Sequence, residues 1–140
     1  MSALDTLIRV HRWQLDERRR LVAGLDSLAA RLRTDAQRIQ DEAEEEARVA
    51  GLSLATGSAY PGFIRGLIER RQQLEHSIAE VEAQIAEARE AVSIAFQDVK
   101  RYELAAANRA RDARHRLARR QRSDEDALAL DIHRRNQNGF

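Results

Sequence analysis

The chain has no cysteine, one proline, six glycines and few aromatics, only 4% of its 140 residues. Without cysteine there are no disulfides and no thiolate metal sites, which fits a reducing cytoplasm. The opening stretch, MSALDTLIRVHRWQLDERRR, lacks the uninterrupted apolar core of a signal peptide. No run approaches the roughly 18 apolar residues that a membrane span needs. The expectation is a soluble cytoplasmic protein without direct membrane insertion. Neither charge sign dominates: 24 basic residues stand against 23 acidic ones, so no global field draws the chain to nucleic acid or anionic lipid.

Catalytic patterns are missing too. The four histidines (His11, His76, His115 and His133) are widely scattered, and no pair has metal-ligand spacing. The segment GLSLATG ends without the Lys-Ser/Thr of a nucleotide loop. Glu44, Glu45 and Glu46 belong on a solvated helix face with no pocket around them. The residues therefore point to a non-enzymatic chain with no catalytic, cofactor-binding or metal-binding residues and no cofactor.

What remains is charge and periodicity. With 34% charged residues and recurring Leu, Ile, Val and Ala, the composition suits long helices that each bury a narrow stripe. Residues 3–50 hold one glycine and no proline and are rich in good helix formers. A break follows over 51–62, with Gly51 suited to a helix C-terminus and Pro61 to the first turn of the next helix. A second helix is expected over about 63–135. The prediction is one all-α domain, 1–140: an antiparallel two-helix coiled-coil hairpin whose second helix is the longer.

The second helix carries a seam alternately spaced by three and four: Ile64, Leu67, Arg71, Leu74, Ile78, Val81, Ile85, Ala88, Val92, Ala95, Val99 and Tyr102. The first offers Leu21, Leu25, Leu28, Leu32, Asp35, Ile39 and Val49. Nearer its start are Leu4, Leu7, His11, Gln14 and Arg18, with Ile8, Leu15 and Val22 widening the stripe. In an antiparallel hairpin, facing residues have a constant index sum. A sum of 113 pairs Leu32 with Val81, Leu28 with Ile85, Leu21 with Val92, Glu42 with Arg71 and His11 with Tyr102. The midpoint falls inside the glycine-rich break. Leu67 then faces Glu46, which predicts poor burial for it.

In this register the chain beyond about residue 113 overhangs the first helix. The overhang starts with Arg109, Arg111, Arg114, Arg116, Arg119, Arg120 and Arg122 against one acid, Asp112. Asp124, Glu125 and Asp126 follow, and the sparse apolar residues beyond predict a frayed end. Such a run could track phosphates. It has no interleaved aromatics, however, and 23 of the 24 basic residues are arginine anyway, so an acidic protein surface is the better match. Near the break, where Tyr60 and Phe63 open the second helix, Phe63, Ile64, Leu67 and Ile68 form an apolar stripe wider than one partner helix needs. Either Leu52 and Leu54 fold over Phe63, or the stripe is an exposed docking patch. Trp13 lies off the seam.

Taken together, the long hairpin, the start with Leu4, Leu7 and Ile8, the arginine-rich first helix and Tyr60-Pro61-Gly62-Phe63-Ile64-Arg65-Gly66-Leu67 resemble the FliJ family. These are stalk proteins of the flagellar type III export apparatus. The resemblance spans nearly the whole chain, its most specific element being Tyr-x-x-Phe-Ile-x-x-Leu. Pro61, Gly62 and Gly66 depart from the family pattern. The resemblance implies a coiled coil of bacterial flagellum biogenesis, acting in protein transport for motility. It would lie in the cytoplasm, peripherally associated with the membrane export apparatus. Its partners would be the export ATPase hexamer, the cytoplasmic domain of the export gate membrane protein, and export chaperones, with no nucleic acid. Gate docking would fall to Phe63 and Leu67 with Tyr60 and Ile64, and ring contact to the arginines at 109–122 with Trp13. A virulence-type injectisome stalk, a nucleic-acid-binding helical arm and a bare structural coiled coil are the alternatives.

Overall fold

In the computed structural model, residues 2–52 and 60–139 are described, the side chains of Leu52 and Tyr60 excepted. There are two helices, α1 (Ala3–Leu52, 50 residues) and α2 (Tyr60–Asn138, 79 residues), packed as an all-α hairpin with the second helix longer. Residues 53–59, the heart of the expected bend, lie outside the described set.

The helix ends follow from local chemistry. Ser2 caps α1: its hydroxyl accepts the Asp5 backbone N–H at 3.1 Å, and its own N–H donates to the Asp5 carboxylate at 3.3 Å. This reciprocal box satisfies donors that a helix start leaves open. The Ser2 hydroxyl and N–H, in that order, hold the Asp5 carboxyl below the ordinary carboxylate range. At the far end, Gly51 has no positive φ and is helical, so the helix runs on through Leu52 instead of closing at a glycine cap. Pro61 sits in the first turn of α2, where its missing N–H costs nothing.

The chain forms two compact units, Met1–His11 with Gln97–Phe140, and Arg12–Phe96. In Arg12–Phe96 the core cluster is Ala29, Val81 and Ile85, with Leu25, Leu28 and Leu32 packed against it. Cross-helix ion pairs run antiparallel alongside: Asp26 with Arg89 at 3.6 Å, Arg33 with Glu82 at 2.7 Å, and Glu42 with Arg70 at 3.7 Å. Their index sums lie within two of the expected 113. In the other unit, Ile8 and Val99 are buried, and His11 stacks on Tyr102 with ring centroids 4.6 Å apart. That contact was expected from the register.

The α2 seam is as read, with Arg71 its exposed exception. The α1 seam needs correction. Leu21 is 54% exposed and Leu7 is also exposed, as are Gln14 and Arg18, while Ile8 and Leu15 are buried and Val22 is half-buried. The stripe runs through Leu4, Ile8, His11, Leu15, Val22, Leu25, Ala29, Leu32, Ala36, Ile39 and Ala43, and Leu28, Asp35 and Val49 of the expected seam are half-buried beside it. Alanine explains the shift. Ala29, at 1% exposure, is buried more completely than the larger aliphatic side chains of the described core, and Ala36 and Ala43 are half-buried in the same stripe.

Two outcomes follow. Ile85→Ala should destabilise the fold by about 2–5 kcal/mol, whereas Leu21→Ala should change it by no more than about 0.5 kcal/mol; thermal or urea unfolding followed by circular dichroism separates the two. Because Asp5 titrates lower in the folded chain, its contribution is complete above the unfolded carboxyl's range and is lost as pH falls through the folded value. The protection of backbone amides in the first turn of α1, taken relative to their intrinsic exchange rate at each pH, should therefore fall in acid, and Asp5→Asn should remove that change in protection.

Candidate protein-docking surfaces

The first surface belongs to the Arg12–Phe96 unit. There Phe63 and Ile68 are 42% and 49% exposed, Ile64 is half-buried, and Leu67 is only 4% exposed. Leu67 thus overturns the expectation of poor burial. A seam side chain inserts among four residues of the facing helix, so one charged residue opposite does not decide its fate. Ile39 and Ala43 line the same small cavity of about 50 Å³ as Leu67, Ile64 and Ile68. The exposed part of the patch is therefore Phe63 with Ile68, and Leu67 is its buried footing. Leu54 and the side chains of Leu52 and Tyr60 lie outside the described residues, so the fold-over reading is not addressed by them.

Polar side chains flank this patch. Arg71 donates to Gln40 at 3.2 Å and to Glu75 at 3.0 Å, while Glu42 is taken by Arg70. The expected Glu42–Arg71 pair is corrected accordingly. With the α1 seam running through Ile39 and Ala43, Glu42 turns toward the flank, where Arg70 reaches it. A groove of about 480 Å³ in this unit is open to solvent; Asp35, Arg38, Glu42 and Arg70 are among its lining residues. No group of three or more potential metal ligands occurs among the described residues.

The second surface belongs to the unit Met1–His11 with Gln97–Phe140. From Ala107 to Gly139 every residue is exposed, and α2 nonetheless stays helical to Asn138. The expected fraying is therefore absent, and the overhang begins several residues earlier than the register implied. Ala, Arg, Leu and Gln hold helix well on intrinsic propensity, and Arg135 pairs with Asp131 at 3.2 Å one turn back. Arg109, Arg111, Arg114, Arg116, Arg119, Arg120 and Arg122 are all exposed, and none forms an ion pair among the described residues. Their positions spread around the helix rather than along one face, so the run can meet acidic groups from several directions.

Trp13, in the Arg12–Phe96 unit, is 62% exposed. Exposed apolar side chains that escaped the sequence reading include Val10, Phe96 and Leu117, together with the pair Ile94 and Leu104. Each of that pair lies two residues past a seam position, Val92 or Tyr102, and that offset places it on the outer face. No helix among the described residues is long and apolar enough to cross a membrane. No family model matches the chain, and no curated protein or solved structure does so either.

The patch divides into footing and face, and mutation should separate them. Leu67→Ala should cost at least about 2 kcal/mol of stability, while Phe63→Ala should cost less than about 1 kcal/mol. Chemical unfolding of the two variants, measured side by side, checks the division.

Proposed function

We propose that this chain is a non-enzymatic central stalk of the flagellar type III export ATPase. It would couple the ATPase ring to the membrane export gate and handle export chaperones. The observation that carries the reading is the run of seven arginines on α2, all exposed and without an ion pair among the described residues. An exposed arginine presents up to five donors in a planar fork suited to carboxylates and carbonyl oxygens. A helix surrounded by such groups is suited to a pore whose loops are acidic or lined by carbonyls.

In this reading the arginine-bearing end of α2 enters the ring, and its irregular charge distribution gives the ring's subunits unequal contacts. Unequal contacts bias subunits toward different nucleotide states, because a ligand shifts an equilibrium by its differential affinity for the states. Phe63 and Ile68, standing on Leu67, offer the gate an apolar anchor, with Ile64 and Tyr60 beside them in sequence. Trp13 is a further candidate for the ring. The chain itself makes and breaks no bonds.

The test is stimulation of the export ATPase by the purified chain. Reversing Arg116, Arg119 and Arg120 to Glu should leave helicity intact, each substitution costing within about 0.5 kcal/mol at these exposed positions. Stimulation should fall sharply, and stimulation by the parent chain should weaken as salt rises. Full stimulation by the triple variant would move the ring contact away from this run, toward Trp13. No stimulation by the parent chain would remove the stalk reading itself.

A further inference from the structure

The uncovered stretch of α2 is polar in two halves. Residues 109–122 carry seven arginines and one acid, and residues 123–132 carry Asp124, Glu125, Asp126 and Asp131 with no base. All are exposed. A helix of this kind is complementary to itself only when turned end for end. Laid parallel on a second copy it sets arginine on arginine, and laid antiparallel it sets the basic half on the acidic half.

We propose that this stretch of α2 pairs antiparallel with the same stretch of a second copy of the chain. The sequence supplies the register. Positions 113, 117, 120, 124, 127 and 131, spaced alternately by four and three, form one stripe, and an index sum of 244 maps that stripe onto itself. Leu117 then meets Ala127 of the other copy, and Arg120 meets Asp124. Ala113 meets Asp131, and two-fold symmetry repeats each contact; Arg119 and Asp126 stand outside the stripe and add only to the attraction between the basic and acidic halves. Leu117 is 54% exposed in the single chain, so pairing gives it the cover it lacks. Most helical stability in proteins comes from packing rather than propensity, which is a reason for a bare helix to find a partner. Opposed charges set direction and register, since like charges would face each other in the parallel arrangement.

The pairing goes beyond the stalk reading and draws on the same arginines. Self-association and ring binding would therefore compete, with free chain held as a dimer until acidic groups on the ring displace the second copy.

Sedimentation equilibrium of the full chain at low salt tests it, with circular dichroism to confirm helicity. A concentration-dependent dimer that dissociates as salt rises is expected. D124R combined with D126R should raise the dissociation constant by roughly tenfold or more, and adding R119E and R120E to the same chain should restore the dimer. The register has its own check. In this cysteine-free chain, L117C with A127C should give disulfide-linked dimers, because ten residues along one helix span roughly 15 Å, too far to close within a chain. A parent chain that stays monomeric at all concentrations overturns the proposal, as does a dimer indifferent to D124R and D126R. The outcomes are separable from the stalk reading. D124R/D126R keeps every arginine, so its stimulation of the export ATPase reports on ring binding while its sedimentation reports on pairing.

Discussion

Two helices facing each other can bury only one stripe each, and every other feature of this chain follows from that limit. The core is a short series of Leu, Ile, Val and Ala layers, with no buried polar or charged residue among the described residues. Charges have nowhere to go but outward. The cross-helix ion pairs are therefore solvated, their side chains about half to two-thirds exposed. Exposed pairs of this kind contribute at most about 1 kcal/mol each, whereas one well-buried Leu or Ile contributes roughly 1.5–3 kcal/mol. The apolar layers set the register, and the ion pairs line up because the layers place them.

That hierarchy explains what could be read in advance. The α2 seam was legible because aliphatic side chains recur along it from Ile64 to Val99, broken only at Arg71. Its partner was less so. In α1 the seam passes through Ala29, Ala36 and Ala43, and an alanine packed in the seam looks no different in sequence from one used as a helix former. Leu28 and Leu21 drew the eye, yet Leu28 flanks the core and Leu21 faces water. The index sum survived because Leu25, Leu32 and Ile39 belong to both readings of the stripe.

The candidate surfaces were legible to different depths. The uncovered arginine run needed only the register and the chain's length, both readable from the sequence. Its continued helicity did not follow from apolar spacing, since propensity and one-turn ion pairs hold a helix that has no seam to follow. Leu67 failed for a geometric reason: facing residues were matched one to one, while a knob packs among four. What survives at that patch is Phe63 with Ile68, exposed because they stand beside the seam and not on it.

The uncovered end of α2 poses the remaining physical question. It is a helix without tertiary packing, so little but propensity and local pairs opposes its unfolding, and any acidic surface that meets its arginines adds stability to that end. A segment of this kind gains order from whatever it binds, in proportion to the binding free energy. Both proposed occupants, an acidic pore and the chain's own acidic stretch, satisfy the same arginines and cannot do so at once. The acidic stretch then has a role the basic run alone would not need. In the proposed pair it would occupy the arginines of the second copy and lower the affinity of that end for stray polyanions, so that a partner would have to offer more favourable contacts than the second copy does. Charge segregation along one bare helix would in this way trade raw affinity for selectivity.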